Sequence, residues 1–475
     1  MELWMLRLLS FTSFLGLWIA CAFGFDDWGL AWAADGESAT AAGSEAGKTL
    51  IGAKYDLTLF DTPFNARYAE AFPSMRQSLG ITQTLTHGLN GTIGYAWNLE
   101  SDSFWWNLAG RVVILGAGIA VSTVPGFDGW MHEEWHRAVM TQNSIKSYNE
   151  INDWPNTRTS GGGIAVSGMR DADMARLKSE NHPDFIRLMS AGMEAQRELV
   201  LQLEKDAFFD RTRSPNTAQL WLSNLNTIAY VQTCASGGGA DFNEARESES
   251  ETEKDFTGLD CNSWSYDLHR KDEPYAARGL KKDGTIQRYR KTSDLSDEER
   301  NFLKKHLALS YLGLVDPFLF LLRSYAKNDW PIALRMMHQL TSFGGDTALA
   351  FFYRGDASVS PLKIYSALHV YSNKSHVFPG LEAEILDYPA AVLLDGVPDY
   401  VTVGARALIW TQPERLDFRT SESEWGGLGG LNVAAAMRTW AIPYVFLEGK
   451  SRGWVAGVVD QQSSWLAGVG IRGYY

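Results

Sequence analysis

The residues best suited to chemistry are His132-Glu133-Glu134-Trp135-His136. On a helix, side chains four positions apart lie on one face about one turn apart, so the two imidazoles reach a single metal ion. Glu133 falls on an adjacent side, where its carboxylate can take a proton from a metal-bound water. Trp130, Met131, Trp135 and Val139 supply an apolar surround, and Asp128 is placed to cap the helix so that the motif fills its first two turns. The plain alternative is a solvated helix face on which two His and two Glu are balanced by Arg137.

Two imidazoles leave a metal needing at least one more protein ligand. The helical stretch that starts after Pro183 offers Glu194, with Ala191 and Gly192 small enough for two helices to approach closely. Glu194 lies opposite the strongest apolar stripe of that helix, and Glu198, one turn on, is the other choice. Imidazole and carboxylate ligands suit Zn2+ and several other divalent ions.

This pattern resembles the zincins, the HExxH metallopeptidases. The longer HExxHxxGxxH signature of the metzincins is not present, so the likeness is to the gluzincin arrangement, in which a Glu on a later helix completes the site. The resemblance implies a zinc-dependent hydrolase acting on a peptide or protein, with Glu133 as general base and His132, His136 and Glu194 as metal ligands. It covers five residues firmly and does not extend to the fold.

Other groups carry less. Asp260, Trp264, Tyr266 and Asp267 form an aromatic and acidic cluster beside Cys261, readable as a substrate wall or as a packed loop; this loop and Arg137 are the candidates for assisting at an oxyanion. His182-Pro183-Asp184 reads as a helix entry. His369 and His376 read as strand residues. No phosphate-binding glycine loop, dinucleotide fingerprint or G-x-S-x-G elbow is present.

The elements that must position these groups belong to a 475-residue chain with a net charge of -13 and 45% hydrophobic residues. The acidic excess, without any dense Lys/Arg block, argues against nucleic-acid binding. Arg7, the apolar run from Leu8 to Phe25 and Ala31-Trp32-Ala33 read as a secretory signal over 1–33, with a retained anchor helix as the alternative. In the oxidising space this implies, Cys234 and Cys261 fit a disulfide at the base of an acidic loop, Asp241 to Asp255. The expected class is α+β: a leader and β segment over 34–103, a central helical domain over 104–345 that carries HExxH and a charged loop insertion at 237–293, and a β region over 346–475. Within these, Leu85 to Leu99 reads as strand, and Val112 to Phe127 as a buried or re-entrant helical hairpin.

In the last segment Trp465, Ala467, Val469, Ile471, Gly473 and Tyr475 alternate with Leu466, Gly468, Gly470, Arg472 and Tyr474. The first face is suited to lipid and the second to a barrel interior. Glu448 to Ser451 reads as a hairpin turn between Tyr444–Leu447 and Trp454–Val459. This terminus resembles that of Gram-negative outer-membrane β-barrels, which implies that the two β segments form one membrane barrel and that the chain resides in the outer membrane or periplasm. A soluble sandwich with one buried face fits the same alternation. The competing function is a non-catalytic barrel, a pore or assembly factor, whose helices plug the lumen.

Overall fold

The computed structural model describes residues 53–67, 73–99, 103–153, 165–210, 216–237, 250–327, 330–355 and 361–474. The expected signal over 1–33 lies outside them. Eleven strands occur among them: β1 (Lys54–Thr62), β2 (Tyr148–Asn149), β3 (Val166–Ser167), β4 (Ile332–Thr341), β5 (Gly344–Arg354), β6 (Lys363–Ser372), β7 (Val377–Pro389), β8 (Val401–Pro413), β9 (Ser423–Ala435), β10 (Ile442–Lys450) and β11 (Ser464–Tyr474). β2 and β3 form a small separate pair, and the rest make one antiparallel sheet in the order β1-β11-β10-β9-β8-β7-β6-β5-β4. The N-terminal and C-terminal β segments are thus one sheet, with the first strand paired to the last. Among the described residues β1 and β4 are its two edges and do not pair with each other.

Because strand side chains alternate between faces, the register separates two environments. One laterally paired row runs Ile364, Ile385, Ala405, Leu431 and Leu447 across β6 to β10. The row on the opposite face runs Tyr365, Glu384, Arg406, Gly430 and Glu448. Charges lie on the face that packs on helices, and the apolar row faces out. In β11, Trp465 and Val469 are exposed while Leu466, Gly468 and Gly470 are buried, the alternation that its sequence predicts.

The helical half fills the charged face. Its helices are α1 (Met75–Trp97), α2 (Phe104–Val121), α3 (Asp128–Gln142), α4 (Asp171–Glu180), α5 (His182–Phe209), α6 (Thr217–Ser236), α7 (Asp260–His269), α8 (Asp297–Ser310) and α9 (Phe318–Lys327), besides a single turn at Phe64–Arg67. Helix α5 has Pro183 in its first turn and an Asn181 cap, and nearly all of its 28 residues are buried. Lys54 on β1 binds Asp206 at 2.6 Å, and Arg335 on β4 binds Glu204 at 2.9 Å. Both edges of the sheet therefore reach the same end of one helix, so the sheet curls around it. A polar cavity of about 260 Å³ remains between them, lined by Glu198, Lys205, Glu382, Arg406 and Glu448 among others.

Four expectations about elements are corrected. Leu85 to Trp97 is helix, part of α1, opened by a reciprocal Ser74 and Gln77 capping box and closed by Asn98 in the left-handed region. Its Thr and Gly residues read as strand because they face packing partners and mute the apolar stripe. Gly80, for instance, sits where a Cβ would lie 2.4 Å from the Asp56 carbonyl oxygen of β1. Helix α1 also blunts this sheet edge: Thr84 Oγ1 accepts from the Asp56 N–H, and Gln77 donates to the Leu59 carbonyl. The stretch from Val112 is the second half of α2, a single helix that exposes Trp105, Val112, Val113 and Ile119. β10 pairs with β11 from Ser464 onward, and residues 451–463 fold inward instead of forming a tight hairpin. The sheet resumes at Ile332, ahead of the expected boundary. The loop expected over 270–293 is a loop with short turns, and buried cations hold it in place, with Arg288 binding Asp171 at 2.6 Å and Arg278 binding Asp267.

Two stability predictions follow from these contacts. Gly80→Val should drive a branched side chain into β1 and cost about 1–3 kcal/mol in denaturant unfolding. Burial, opposed by Asp267, pulls the His182 imidazole at the start of α5 down to about 4. An unfolded histidine titrates near 6.5, so the unfolded chain binds the extra proton and stability should fall as pH drops from about 7 to about 4. His182→Gln should make that part of a stability-against-pH curve less steep, the other buried histidines whose pKa is lowered, His306 and His338 among them, keeping the rest of the fall.

Candidate metal centre

Helix α3 carries the HExxH residues and packs against α5. The approach rests on one missing side chain, since a Cβ on Gly192 would lie 2.2 Å from His132 Nε2. One turn earlier, the Leu188 carbonyl accepts a 2.5 Å hydrogen bond from His136 Nδ1. That bond sets the tautomer and turns Nε2 toward the site, the support given to metal-binding histidines. Among the described residues His136 Nε2 is buried without a hydrogen bond of its own.

The acidic partner of the two rings is Asp260, the first residue of α7. Its Oδ2 lies 3.2 Å from His132 Nε2 and 3.3 Å from His136 Nε2. One ligand atom from each of the three residues can be chosen so that all lie within 4.8 Å of one another. A tetrahedral ion bound at 2.0–2.2 Å has its ligand atoms about 3.4 Å apart, so this donor set fits such an ion. Asp260 is held on two sides. The adjacent Cys261 is disulfide-bonded to Cys234 on α6, with Cα atoms 6.1 Å apart, and the Asp260 N–H donates to the Tyr230 hydroxyl at 3.1 Å. Its place at a helix N-terminus also favours the carboxylate.

The electrostatics are those of a site with surplus negative charge. Burial works against ionised Asp260, but His136 and His132 outweigh it and hold the carboxyl well below the usual range. Burial alone would lower His136, yet the Asp260 carboxylate raises it to about 9, while burial keeps His132 low. Burial pushes Glu133 well above the usual carboxylate range; Asp255, Asp260 and Glu150 add to the rise and His136 opposes it. A divalent cation among these groups would relieve that repulsion. Trp135 and Met131 are fully buried, and the Phe256 ring lies 4.9 Å from that of His136, so the surround is apolar.

The structure brings His132, Glu133, His136 and the Cys234–Cys261 bridge together, and it places the expected third ligand elsewhere. Glu194 accepts from Arg187 at 2.6 Å and from the Gly457 N–H at 2.9 Å. Helical geometry gives the reason: at about 100° per residue, Leu188 and Gly192 share the face toward α3, and Glu194, two residues on, points away. Glu198 lines the polar cavity instead. Arg137 is committed to Glu134 at 2.7 Å, and Glu134 also accepts from Asn149. Asp260, read from sequence as part of a packed loop or a substrate wall, is the residue on the imidazoles. Its only sequence signal is the neighbouring Cys261.

With excess zinc, the purified chain should hold about one ion, measured by elemental mass spectrometry. His136→Ala and Asp260→Asn should lose it, whereas Glu194→Gln should keep it and lose stability. Comparison with family models, with curated proteins and with solved structures finds no match for this chain, so its function is argued from the site.

Proposed function

We propose that this protein is an exported metal-dependent hydrolase, with a peptide or protein as substrate and zinc as the fitting metal. The observation that carries the reading is the convergence of His132, His136 and Asp260 on one point, with Glu133 on the same helix. A bound divalent ion would polarise the scissile carbonyl and bring the pKa of a bound water into the neutral range. Glu133 would take the proton from that water and return it to the leaving amine. Tyr230 uses its hydroxyl oxygen to accept from the Asp260 N–H, which leaves the phenolic O–H to donate to a developing oxyanion. The Leu188 carbonyl and the disulfide beside Asp260 hold the donor set in place before substrate arrives, so little reorganisation is left for the reaction. The same disulfide supports an oxidising, exported location such as the periplasm or outer membrane.

The peptide class rests on the likeness of residues 132–136 to the zincins. The test is Glu133→Gln measured against a mixed peptide substrate set. The variant should retain stoichiometric zinc and lose at least about 100-fold in kcat. Equal turnover by wild type and variant, or no turnover by the zinc-loaded wild type, would reduce the centre to a structural site.

A further inference from the structure

We infer that the outward face of the nine-stranded sheet, continued by the exposed side of α2, is a surface that contacts the hydrocarbon of a lipid bilayer. Four observations point the same way. The outward positions of β6 to β11 carry no charged side chain, and Leu368, Leu381, Ile409, Leu431, Leu447 and Val469 on them are each more than two-fifths exposed. The inward positions of the same strands carry Lys363, Glu382, Arg406, Glu448 and Arg472. A water-soluble sheet places these two sets the other way round.

The strands are also the right length. The nine strands have 9 to 13 residues each, and a tilted strand needs about 9–11 to cross the apolar core of a bilayer. Aromatic residues then mark both ends of the sheet. Trp425 and Trp465 are exposed where β9 and β11 begin, and Trp330, Tyr353, Tyr400 and Trp440 are exposed at or beside the opposite strand ends. Amphipathic rings gather at the two membrane–water interfaces.

The perimeter argues for lipid over a protein partner. Because both edge strands reach one end of α5, the outward face looks in many directions at once, and only a continuous apolar medium covers such a surface. At the β1 edge the apolar surface passes onto helices: α1 lies along β1, and α2 joins α1 through stacked Trp97 and Trp106, whose indole N–H groups donate to each other's backbone carbonyls. Arg111 is the one charge in α2, a helix of 18 residues.

The test uses the full chain, purified in detergent and offered to phosphatidylcholine vesicles. It should float with the vesicles and resist extraction by alkaline carbonate. Leu431→Arg should lower insertion by about 30-fold or more, whereas Asn432→Arg, on the adjacent inward position, should not. Folding is controlled by a gentler variant: acyl chains brominated near the headgroup should quench the wild-type tryptophan fluorescence, and the double variant Trp425→Phe/Trp465→Phe should lose part of that quenching with unchanged circular dichroism. A monodisperse species that stays in water without detergent, as a monomer or as a closed oligomer of this chain, would overturn the inference. Quenching that is identical in the wild type and the double variant would do the same.

Discussion

Helix α5 runs through the middle of the molecule with Arg187, Glu194, Glu204, Lys205 and Asp206 all buried, and the fold depends on finding each of them a partner. An unpaired buried charge costs several kcal/mol, far more than a single packing contact returns. The partners come from every part of the sheet: Lys54 on β1, Arg335 on β4, Glu384 on β7, and the backbone of the β10–β11 connection, whose Val455 and Val458 carbonyls accept from Arg187. The pairing of this one helix therefore decides how far the sheet curls and why residues 451–463 turn inward.

The same helix turns a second face toward α3. There Leu188 offers a backbone carbonyl and Gly192 offers space, and the HExxH helix lies against both. The division explains why Glu194 holds the inward loop while Asp260 meets the imidazoles. A helix cannot present one side chain to the sheet and to α3 together. The acid at the histidines comes from a separate segment, fastened by a covalent bond where α5 has no side chain to give.

Seen as solvents, the two faces of the sheet set the environment for this arrangement. Charge and cavity are inside, and apolar side chains are outside, so the ion pairs around α5 are shielded from bulk water and gain strength from it. In the proposed reading, the hydrolytic centre sits among helices within a shell whose outer surface meets lipid. The polar network and the apolar exterior are then two consequences of one alternating pattern.

Much of this pattern was legible in the chain. Period-four spacing put both histidines on one helix face, Pro183 marked the start of α5, and alternation assigned both faces of β11. Each of these signals acts within a turn or a strand, where neighbours are close in sequence. Helix α1 was obscured because its polar Thr and Gly residues serve tertiary contacts, and the ion pair that holds the 270–293 loop was hidden because Asp171, the partner of Arg288, lies far off in the chain. By itself the sequence determined the kind of chemistry available at His132, Glu133 and His136 and which strand faces are apolar. Only the tertiary structure decided the third acidic group, because Asp260 is 128 residues from His132 and is brought to it by a disulfide and by a helix with no Cβ at position 192.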